Sequence, residues 1–366
     1  MDSKAKGEGA VWAIGLMSGT SCDGIDAALI HTDGTLIDDF GPTIELPYDA
    51  AFRARLQSCF GGKGPVAAVE RELTERHADA VGQLLAEADR KPSEIAVVGF
   101  HGQTIHHAPE RHQTVQIGDG ALLAKLTGID VVNDFRSADV GAGGQGAPLA
   151  PVYHLARAAH LPKPIAVLNL GGVGNVTWIG EDGSLLAFDT GPGNALLDDW
   201  ALRHTGKPAD LDGALAASGH PSVTALAKLK SDPYFSLPAP KSLDRQHFKA
   251  LADSALSGLS AADGAATLVA FTAWSAAEAV RVFPSPPREW LVCGGGRLNP
   301  AIMQALRARL PCPVRSVDAV GWDGDALEAQ AFAFMAVRSL RGLPLSFPGT
   351  TGVPRPMPGG RHHAAA

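Results

Sequence analysis

The segment Ile14-Gly-Leu-Met-Ser-Gly-Thr-Ser-Cys-Asp-Gly-Ile-Asp26 joins a short apolar strand to a turn rich in Gly, Ser, Thr and Asp. Backbone N–H groups at Gly19, Thr20 and Ser21, together with two hydroxyls, can donate hydrogen bonds to phosphate oxygens. The turn therefore indicates a nucleotide site. An ordinary hairpin turn of Gly, Ser and Asp is the alternative if the segment is taken alone.

Two carboxylates, Asp23 and Asp26, follow this turn. Carboxylates beside a phosphate site make sense if Mg²⁺ sits between the charges, bound directly or through water. A second apolar strand starts at Ala27, so the turn is predicted to close a β-hairpin. The strand-to-helix turn of a Walker loop also requires a Lys after its last Gly, and this segment has none.

Two more glycine turns repeat the design. Residues 165–177 place Gly171, Gly172 and Gly174 after an apolar strand, and Asn175 follows. The third turn, Cys293-Gly-Gly-Gly296, follows a strand at 290–292 and precedes a helix at 301–310. The three turns are spaced about 150 and 120 residues apart, and we expect two similar lobes that close on one nucleotide.

Asp189 is the candidate catalytic group. It comes directly after the apolar strand 185–188 and before Thr-Gly-Pro-Gly-Asn. Catalytic groups favour such positions because a rigid strand holds the residue while the loop leaves it accessible. The alternative role for Asp189 is that of an Asx-turn acceptor, which is common before Gly and Pro.

Composition limits the class of protein. A chain of 366 residues exceeds what one core usually supports, so two domains are expected. The net charge of −7 gives no electrostatic reason for a nucleic-acid partner. The N-terminus has no apolar signal region and no run of about 20 apolar residues occurs, so no membrane partner and a cytoplasmic location are expected. The scattered cysteines, Cys22, Cys59, Cys293 and Cys312, are expected to be reduced.

The hydrophobic pattern predicts alternating strands and helices in both halves. Strands are expected near 11–17, 26–31, 35–45, 95–99, 115–117 and 129–132, with helices near 50–60, 65–89 and 120–127. Residues 205–245 are expected to form an insertion, and 248–283 one long helix. The domains predicted are 1–140 for the first lobe, with a helix near 325–341 packing back on it, 141–324 for the second lobe, and a flexible tail at 342–366.

The ordered motifs resemble those of the anhydro-N-acetylmuramic acid kinases, in the superfamily of sugar kinases, Hsp70 and actin. Besides residues 14–26, the motifs that match are Gly99-Phe-His-Gly-Gln-Thr-Ile105, Gln116-Ile-Gly-Asp119, Val132-Asn-Asp-Phe-Arg136, Gly143-Gly-Gln-Gly-Ala-Pro-Leu149, Phe188-Asp-Thr-Gly-Pro-Gly-Asn194 and Cys293-Gly-Gly-Gly296. The resemblance implies an α/β fold of two RNase H-like lobes of mixed sheets, similar to actin and hexokinase. It also implies a nucleotide in the cleft between the lobes and a homodimer.

The resemblance also implies a chemistry for each motif. Asp189 corresponds to the family's catalytic base, which activates water to attack C1 of a 1,6-anhydro sugar while O6 accepts the phosphoryl group of ATP. The implied ATP contacts are Gly19, Thr20, Ser21, Cys22, Asp23, Gly24, Ile25, Asp26, Gly171, Gly172, Asn175, Gly294, Gly295 and Gly296, with Mg²⁺ near Asp23 and Asp26. The implied sugar contacts are Gln103, Thr104, Arg136 and Glu328.

Two of these polar residues have structural alternatives. Glu328 is equally explained as a charge that complements the N-terminus of its helix. His101 is expected to be a buried residue that satisfies its own hydrogen bonds.

One segment departs from the family pattern. Many relatives have Pro-Lys-Ser-Thr-Gly-Arg-Glu where this chain has Pro240-Lys-Ser-Leu-Asp-Arg-Gln246, so Asp244 replaces a Gly. An aspartate enters the left-handed backbone region less readily than glycine does, which leaves the role of this loop open. Two other functions also stay open: a kinase of a different anhydro sugar such as levoglucosan, and a nucleotide-switched binding protein.

Overall fold

The computed structural model describes residues 9–19 and 21–365. The chain divides into two compact units. Unit 1 comprises Met1–Ala159 and Ala326–Ala366, and unit 2 comprises His160–Asp325. The division after Ala159 lies later than the expected boundary at residue 140, because the short helices at 137–157 belong to unit 1.

The described strands are, in chain order, β1 (Val11–Ser18), β2 (Gly24–Thr32), β3 (Ile37–Pro47), β4 (Ile95–Ala108), β5 (Gln113–Ile117), β6 (Val131–Asn133), β7 (Ile165–Leu170), β8 (Val173–Ile179), β9 (Leu185–Pro192), β10 (Glu289–Cys293), β11 (Val314–Ser316) and β12 (Arg361–His363). The described α-helices are α1 (Ala50–Ser58), α2 (Val66–Glu87), α3 (Gly120–Thr127), α4 (Ser137–Gly141), α5 (Pro151–Arg157), α6 (Ala195–Thr205), α7 (Ala214–Ala217), α8 (Val223–Lys230), α9 (Lys249–Ala255), α10 (Ala261–Glu278), α11 (Pro300–Arg309), α12 (Leu327–Leu340) and α13 (Pro348–Thr351). The predicted strand and helix pattern of the first lobe is thus confirmed.

Unit 1 is built on a mixed sheet in the order β12-β6-β4-β1-β2-β3, with β5 paired to β4. The β1–β2 pair is antiparallel, which confirms the predicted hairpin, whereas β1–β4 and β4–β6 are parallel. Helix α2 buries one face through Val69, Leu73, Val81 and Leu84, because apolar residues three or four positions apart share one side of a helix.

Helix α12 packs directly over the backbone of the unit 1 sheet. A Cβ atom at Gly15 would lie 1.8 Å from the carbonyl oxygen of Ala329, and one at Gly99 would lie 2.1 Å from that of Phe332. Only glycine avoids these overlaps. The close approach holds the first turn of α12, with Glu328, against β1, and the next turn against β4.

Unit 2 has a five-stranded mixed sheet in the order β11-β10-β7-β8-β9. Strands β7, β10 and β11 are parallel, and β8 and β9 are added antiparallel. Helices α6, α10 and α11 bury their apolar residues in the core of this unit. The two mixed sheets with flanking helices confirm the predicted fold class.

Two expected elements are wrong. The single helix at 248–283 is instead α9 and α10, because Gly258 adopts a left-handed φ of +82° and the Ser260 hydroxyl accepts the backbone N–H of Asp263 to start a new helix. The tail, expected to be flexible over 342–366, folds within unit 1 over its described residues 342–365. Its strand β12 pairs antiparallel with β6, and Leu345 and Val353 are buried.

Within the described residues, no helix is both long and apolar enough to cross a membrane.

Three buried histidines of unit 1 predict a loss of stability in acid. Burial lowers the pKa of His77 to about 4, of His101 to about 3 and of His154 to about 4. Below about pH 6.5 the unfolded chain takes up protons that the folded chain does not. The contribution of these histidines to the free energy of unfolding is therefore fully present above about pH 6.5. It is lost as the pH falls toward 4, by up to about 1.4 kcal/mol per pH unit for each histidine.

Urea unfolding between pH 7.5 and pH 4.5 measures this slope. His77→Gln removes one titrating group, so its free energy of unfolding should fall less steeply with acid than that of the wild type. The difference between the two slopes should correspond to at most one proton. Identical slopes for the two proteins would contradict the assignment of His77 as neutral.

Candidate active site

The second and third glycine turns meet at one edge of the unit 2 sheet. Strands β7 and β10 are parallel neighbours with Cys293 opposite Asn169, so the turns that follow both strands emerge side by side. Gly294 has a φ of +71°, and a Cβ atom there would lie 2.3 Å from Asn169 Oδ1. The third turn is anchored by the buried Arg297, which donates to both carboxylate oxygens of Asp325, at 2.8 and 2.7 Å.

Asn194 connects these two turns. Its backbone N–H donates to the Gly171 carbonyl at 2.7 Å, and its Nδ2 donates to the Leu170 carbonyl at 3.0 Å. Its Oδ1 is buried, lies 2.8 Å from where a Cβ of Gly296 would be, and has no hydrogen-bond partner among the described residues. A buried acceptor normally has a donor, so this atom fits a ligand that brings one.

Three other glycines of these turns have room for a Cβ atom. The nearest atom to a Cβ would be 3.8 Å away at Gly171, 3.6 Å at Gly172 and 3.4 Å at Gly295, all ordinary contact distances. The fold itself therefore does not require glycine at these positions. Bare backbone in such a turn permits close approach to a nucleotide, and together with the buried Asn194 Oδ1 these turns fit ATP.

The sequence predicted Asp189 at the end of a strand. It lies within β9 instead, because β9 continues to Pro192. It is half-buried and paired with Asn175 on β8. Its Oδ2 accepts a hydrogen bond from the backbone N–H of Leu243 at 2.7 Å. The main chain of Asp189 is held too, since its N–H donates to the Lys241 carbonyl at 2.9 Å and its carbonyl accepts from the Tyr234 hydroxyl at 2.5 Å.

The first glycine turn belongs to unit 1, between β1 and β2. Thr20 lies outside the described residues. The N–H of Cys22 donates to the Gly19 carbonyl at 3.0 Å, and Cys22 takes a left-handed φ of +54°. Asp23 Oδ1 accepts from the Ser21 hydroxyl at 2.8 Å and from the Gly24 N–H at 3.1 Å. These hydrogen bonds shape a tight turn at the end of β1.

The remaining candidates of this motif lie on β2. A Cβ at Gly24 would lie 2.6 Å from the Leu46 carbonyl oxygen, so this glycine serves the pairing of β2 with β3. Ile25 is buried, and Asp26 is half-buried opposite Met17. No group of three or more His, Cys, Asp or Glu able to hold a metal occurs in the described part of the chain. Two carboxylates on one hairpin still suit Mg²⁺, which keeps several waters and binds phosphate oxygens.

The four sugar candidates all belong to unit 1. Gln103 and Thr104 lie on β4, Arg136 precedes α4, and Glu328 is exposed in the first turn of α12, a helix that is otherwise almost wholly buried. The Ser18 hydroxyl donates to Gln103 Oε1 at 2.8 Å. The structure thus joins the strand that enters the first glycine turn to the strand carrying the candidate sugar contacts.

Arg136 is oriented by a neutral histidine. His101 Nδ1 donates to the Gly102 carbonyl at 2.8 Å, so its Nε2 accepts from Arg136 Nη2 at 3.0 Å. Burial, and next the charge of Arg136, lower the pKa of His101 to about 3, which keeps the ring uncharged. A hydrogen bond from Arg136 Nη1 to the Gly146 carbonyl at 2.7 Å holds the other side of the guanidinium. The expectation that His101 satisfies its hydrogen bonds is confirmed, and it also orients Arg136.

A polar cavity of about 330 Å³ lies in unit 1. Its lining includes Thr114, Gln116, Asp119, Asn133 and Arg361. None of the four sugar candidates lines it, but Gln116 Nε2 donates to Thr104 Oγ1 at 3.2 Å.

Tyr234, Leu243 and Asn194 were not among the sequence candidates for this site. Asn194 carries a signal, since it ends the motif that contains Asp189. Nothing in the sequence points to Tyr234 or Leu243 as site residues, because they lie 45 and 54 residues from Asp189.

The chain matches the family model described as anhydro-N-acetylmuramic acid kinase over residues 11–363. It is 60% identical to the anhydro-N-acetylmuramic acid kinase of Paramagnetospirillum magneticum over 96% of this chain and 99% of that protein. The protein of the same name from Rhodospirillum rubrum is 59% identical over 98% of this chain and 96% of its own length. A third, from Acidiphilium cryptum, is 57% identical over 95% and 97%.

The ordinary contact distances from the Cβ position of Gly172 to Arg245 and Ala195 predict that a side chain there harms nucleotide binding more than folding. Gly172→Val should weaken ATP binding by about tenfold, because a β-branched side chain blocks approach to the backbone. Its melting temperature should stay within a few degrees of the wild type. Calorimetric titration with ATP and thermal melting measure the two quantities.

Gly82→Val is the matched control, since Gly82 lies on α2 with no atom within 4 Å of its Cβ position. It should bind ATP like the wild type. Unchanged ATP affinity in Gly172→Val would show that this turn serves the fold alone.

Proposed function

The chain belongs to the anhydro-N-acetylmuramic acid kinase family, and from this premise we propose how it acts. It opens the 1,6-anhydro ring of 1,6-anhydro-N-acetylmuramic acid with water and transfers the γ-phosphoryl group of ATP to O6. The products are N-acetylmuramic acid 6-phosphate and ADP, which suits the recycling of peptidoglycan. The observation that carries the proposal is the carboxylate of Asp189, held on rigid β9 by the Leu243 N–H.

The substrate requires an unusual role for Asp189. An ordinary sugar kinase uses an aspartate to accept the proton of the attacking hydroxyl. A 1,6-anhydro sugar has no 6-hydroxyl, since O6 is bonded to C1. Asp189 therefore takes a proton from water, the water oxygen bonds to C1, and the C1–O6 bond breaks. The electron pair left on O6 forms the new bond to phosphorus, and ADP leaves.

Each unit carries glycine turns that we assign to the nucleotide. In unit 1 this is the turn at Gly19. In unit 2 these are the turn at Gly171 and Gly294–Gly296, beside the Asn194 Oδ1 that has no hydrogen-bond partner among the described residues. Mg²⁺ would be held by Asp23 and Asp26, in part through water, and when bound it offsets the negative charge of the phosphates.

The sugar is assigned to the side chains of unit 1. Arg136 keeps its positive charge beside the neutral His101, so it suits the lactyl carboxylate of the substrate. Gln103 and Thr104 supply hydrogen bonds to the sugar hydroxyls. Glu328, exposed at the start of α12, is placed to hold the anhydro sugar or the attacking water.

Two features of the protein are also proposed: a homodimer, from the family resemblance, and a cytoplasmic location, from the composition of the sequence. Of the alternative functions, a levoglucosan kinase would keep Asp189 and the glycine turns but would not need a cation such as Arg136 for a lactyl carboxylate. ADP release that depends strictly on an anhydro sugar separates the enzyme from a nucleotide-switched binding protein.

Asp189→Asn tests the base. The amide still offers an oxygen to the Leu243 N–H but cannot take a proton from water. Turnover should fall by about 10³-fold or more, while ATP and sugar bind almost normally. The matched control is Asp253→Asn, an exposed partner of Arg203 in unit 2, which should retain full activity. Turnover of Asp189→Asn within tenfold of the wild type would give Asp189 a structural role.

Isotope labelling tests the coupled route. In ¹⁸O-labelled water, mass spectrometry of the product should place the label at the new C1 hydroxyl, and the phosphate ester should keep the original O6. Label in the ester oxygen bonded to C6 would contradict the attack of water at C1, and equal turnover of free N-acetylmuramic acid would point to a conventional sugar kinase.

A further inference from the structure

The loop of residues 234–243, which overlaps the segment that departs from the family pattern, makes three hydrogen bonds to Asp189. The Leu243 N–H contacts the carboxylate, the Lys241 carbonyl accepts the backbone N–H, and the Tyr234 hydroxyl donates to the backbone carbonyl. These three contacts come from one loop and reach both the side chain and the main chain of the same residue. We call this segment the 234–243 loop.

Tyr234 anchors the start of the loop. It is 4% exposed and packs edge-on against Phe235 and Phe248. Burial, and next the nearby charge of Asp189, raise the pKa of the Tyr234 phenol, so the hydroxyl stays protonated and acts as a donor. The Asp232 carboxylate accepts the Tyr234 N–H at 2.9 Å. These contacts therefore fix the position of the Tyr234 hydroxyl that donates to the Asp189 carbonyl.

Lys241 ties the two ends of the loop together. Its Nζ donates to the Tyr234 carbonyl at 3.0 Å and lies 4.4 Å from the centre of the Tyr234 ring. A cation over an aromatic face is attracted to it. The Lys241 side chain thus holds residues 234 and 241 together, and the Lys241 carbonyl accepts the backbone N–H of Asp189.

Asp244 supports the far end of the loop. Its Oδ1 accepts the Gln246 N–H at 2.7 Å, and its carbonyl accepts the His247 N–H at 3.0 Å. Among the described residues, the non-glycine residues with a positive φ are Cys22, Asp89, His112 and Asp134, and Asp244 is not one of them. The aspartate therefore forms a side-chain-capped turn without strain, and the change from the family's glycine is compatible with this loop geometry.

We propose that the 234–243 loop positions the catalytic base, with Leu243 and Tyr234 as positioning residues for Asp189. The proposal rests on the function assigned to Asp189 above. A carboxylate has two rotatable bonds, and water must lie on a line with C1 for attack, so a base that rotates spends less time aligned. The Leu243 N–H restricts the side chain, and the Tyr234 hydroxyl restricts the strand that carries it.

Tyr234→Phe is the first test, because it removes one hydroxyl and keeps the ring packed. We expect kcat to fall about tenfold, while KM for ATP and for the anhydro sugar stays within twofold. Tyr153→Phe is the matched control: its buried hydroxyl donates to Gln330 Oε1 at 2.6 Å in unit 1. It should lower the melting temperature by a similar amount and leave kcat unchanged.

The backbone donor at Leu243 is tested by a pair of variants. Leu243→Ala keeps the N–H and should retain kcat within about threefold. Leu243→Pro removes the N–H and should lower kcat by about 10²-fold with KM little changed. Circular dichroism and melting of both proteins establish that each is folded. If Leu243→Pro does not fold, Tyr234→Phe decides the question.

Two outcomes would overturn the inference. One is a Tyr234→Phe enzyme with wild-type kcat, and the other is equal kcat in folded Leu243→Ala and Leu243→Pro. Failure of the proposed function looks different, since Asp189→Asn would then stay active. If Asp189→Asn is inactive and the loop variants are normal, only the positioning role is wrong.

Discussion

Close approach between backbones is the constraint on which both units depend. In unit 1, α12 crosses β1 and β4 at Gly15 and Gly99, where any Cβ would overlap a helix carbonyl. In unit 2, a Cβ at Gly193 would lie 2.1 Å from the Gly171 carbonyl oxygen, so the second turn can fold against the motif after Asp189. At other glycines of the same turns a Cβ atom would make only ordinary contacts. Packing therefore requires glycine at some of these positions and not at others, and only the surrounding atoms distinguish the two cases.

Polar groups around the proposed chemistry are held in fixed charge states by burial and by their partners. His101 is neutral and accepts a hydrogen bond from Arg136. The buried Tyr234 remains a donor beside Asp189, which is half-buried and anchored by a backbone N–H. Preorganised donors and charges of this kind are effective because they need not rearrange during the reaction. Gln103, Thr104 and Asp189 lie on strands, whereas Arg136 and Glu328 lie at the starts of helices.

Sequence patterns predicted the parts of the fold that depend on near neighbours. The β1–β2 hairpin, the strand before each glycine turn and the amphipathic α2 were all predicted correctly, because residue spacing and turn chemistry are local signals. The errors concern contacts between distant segments. The Pro and Gly content of the tail predicted flexibility, but its strand β12 pairs antiparallel with β6. The Ala-rich stretch read as one helix contains a left-handed Gly258 and a Ser260 cap that interrupt it.

The sequence by itself determined the family, the glycine turns and the identity of the candidate base, since each is a short motif of recognisable residue types. Tertiary structure alone decided what surrounds them. The register of β7 with β10 brings together turns that lie more than 100 residues apart. The hydrogen bonds from Leu243 and Tyr234 to Asp189 depend on how the core positions the 234–243 loop. The physical reason is that a hydrogen bond between distant segments is set by the packing of everything between them, and no local pattern encodes it.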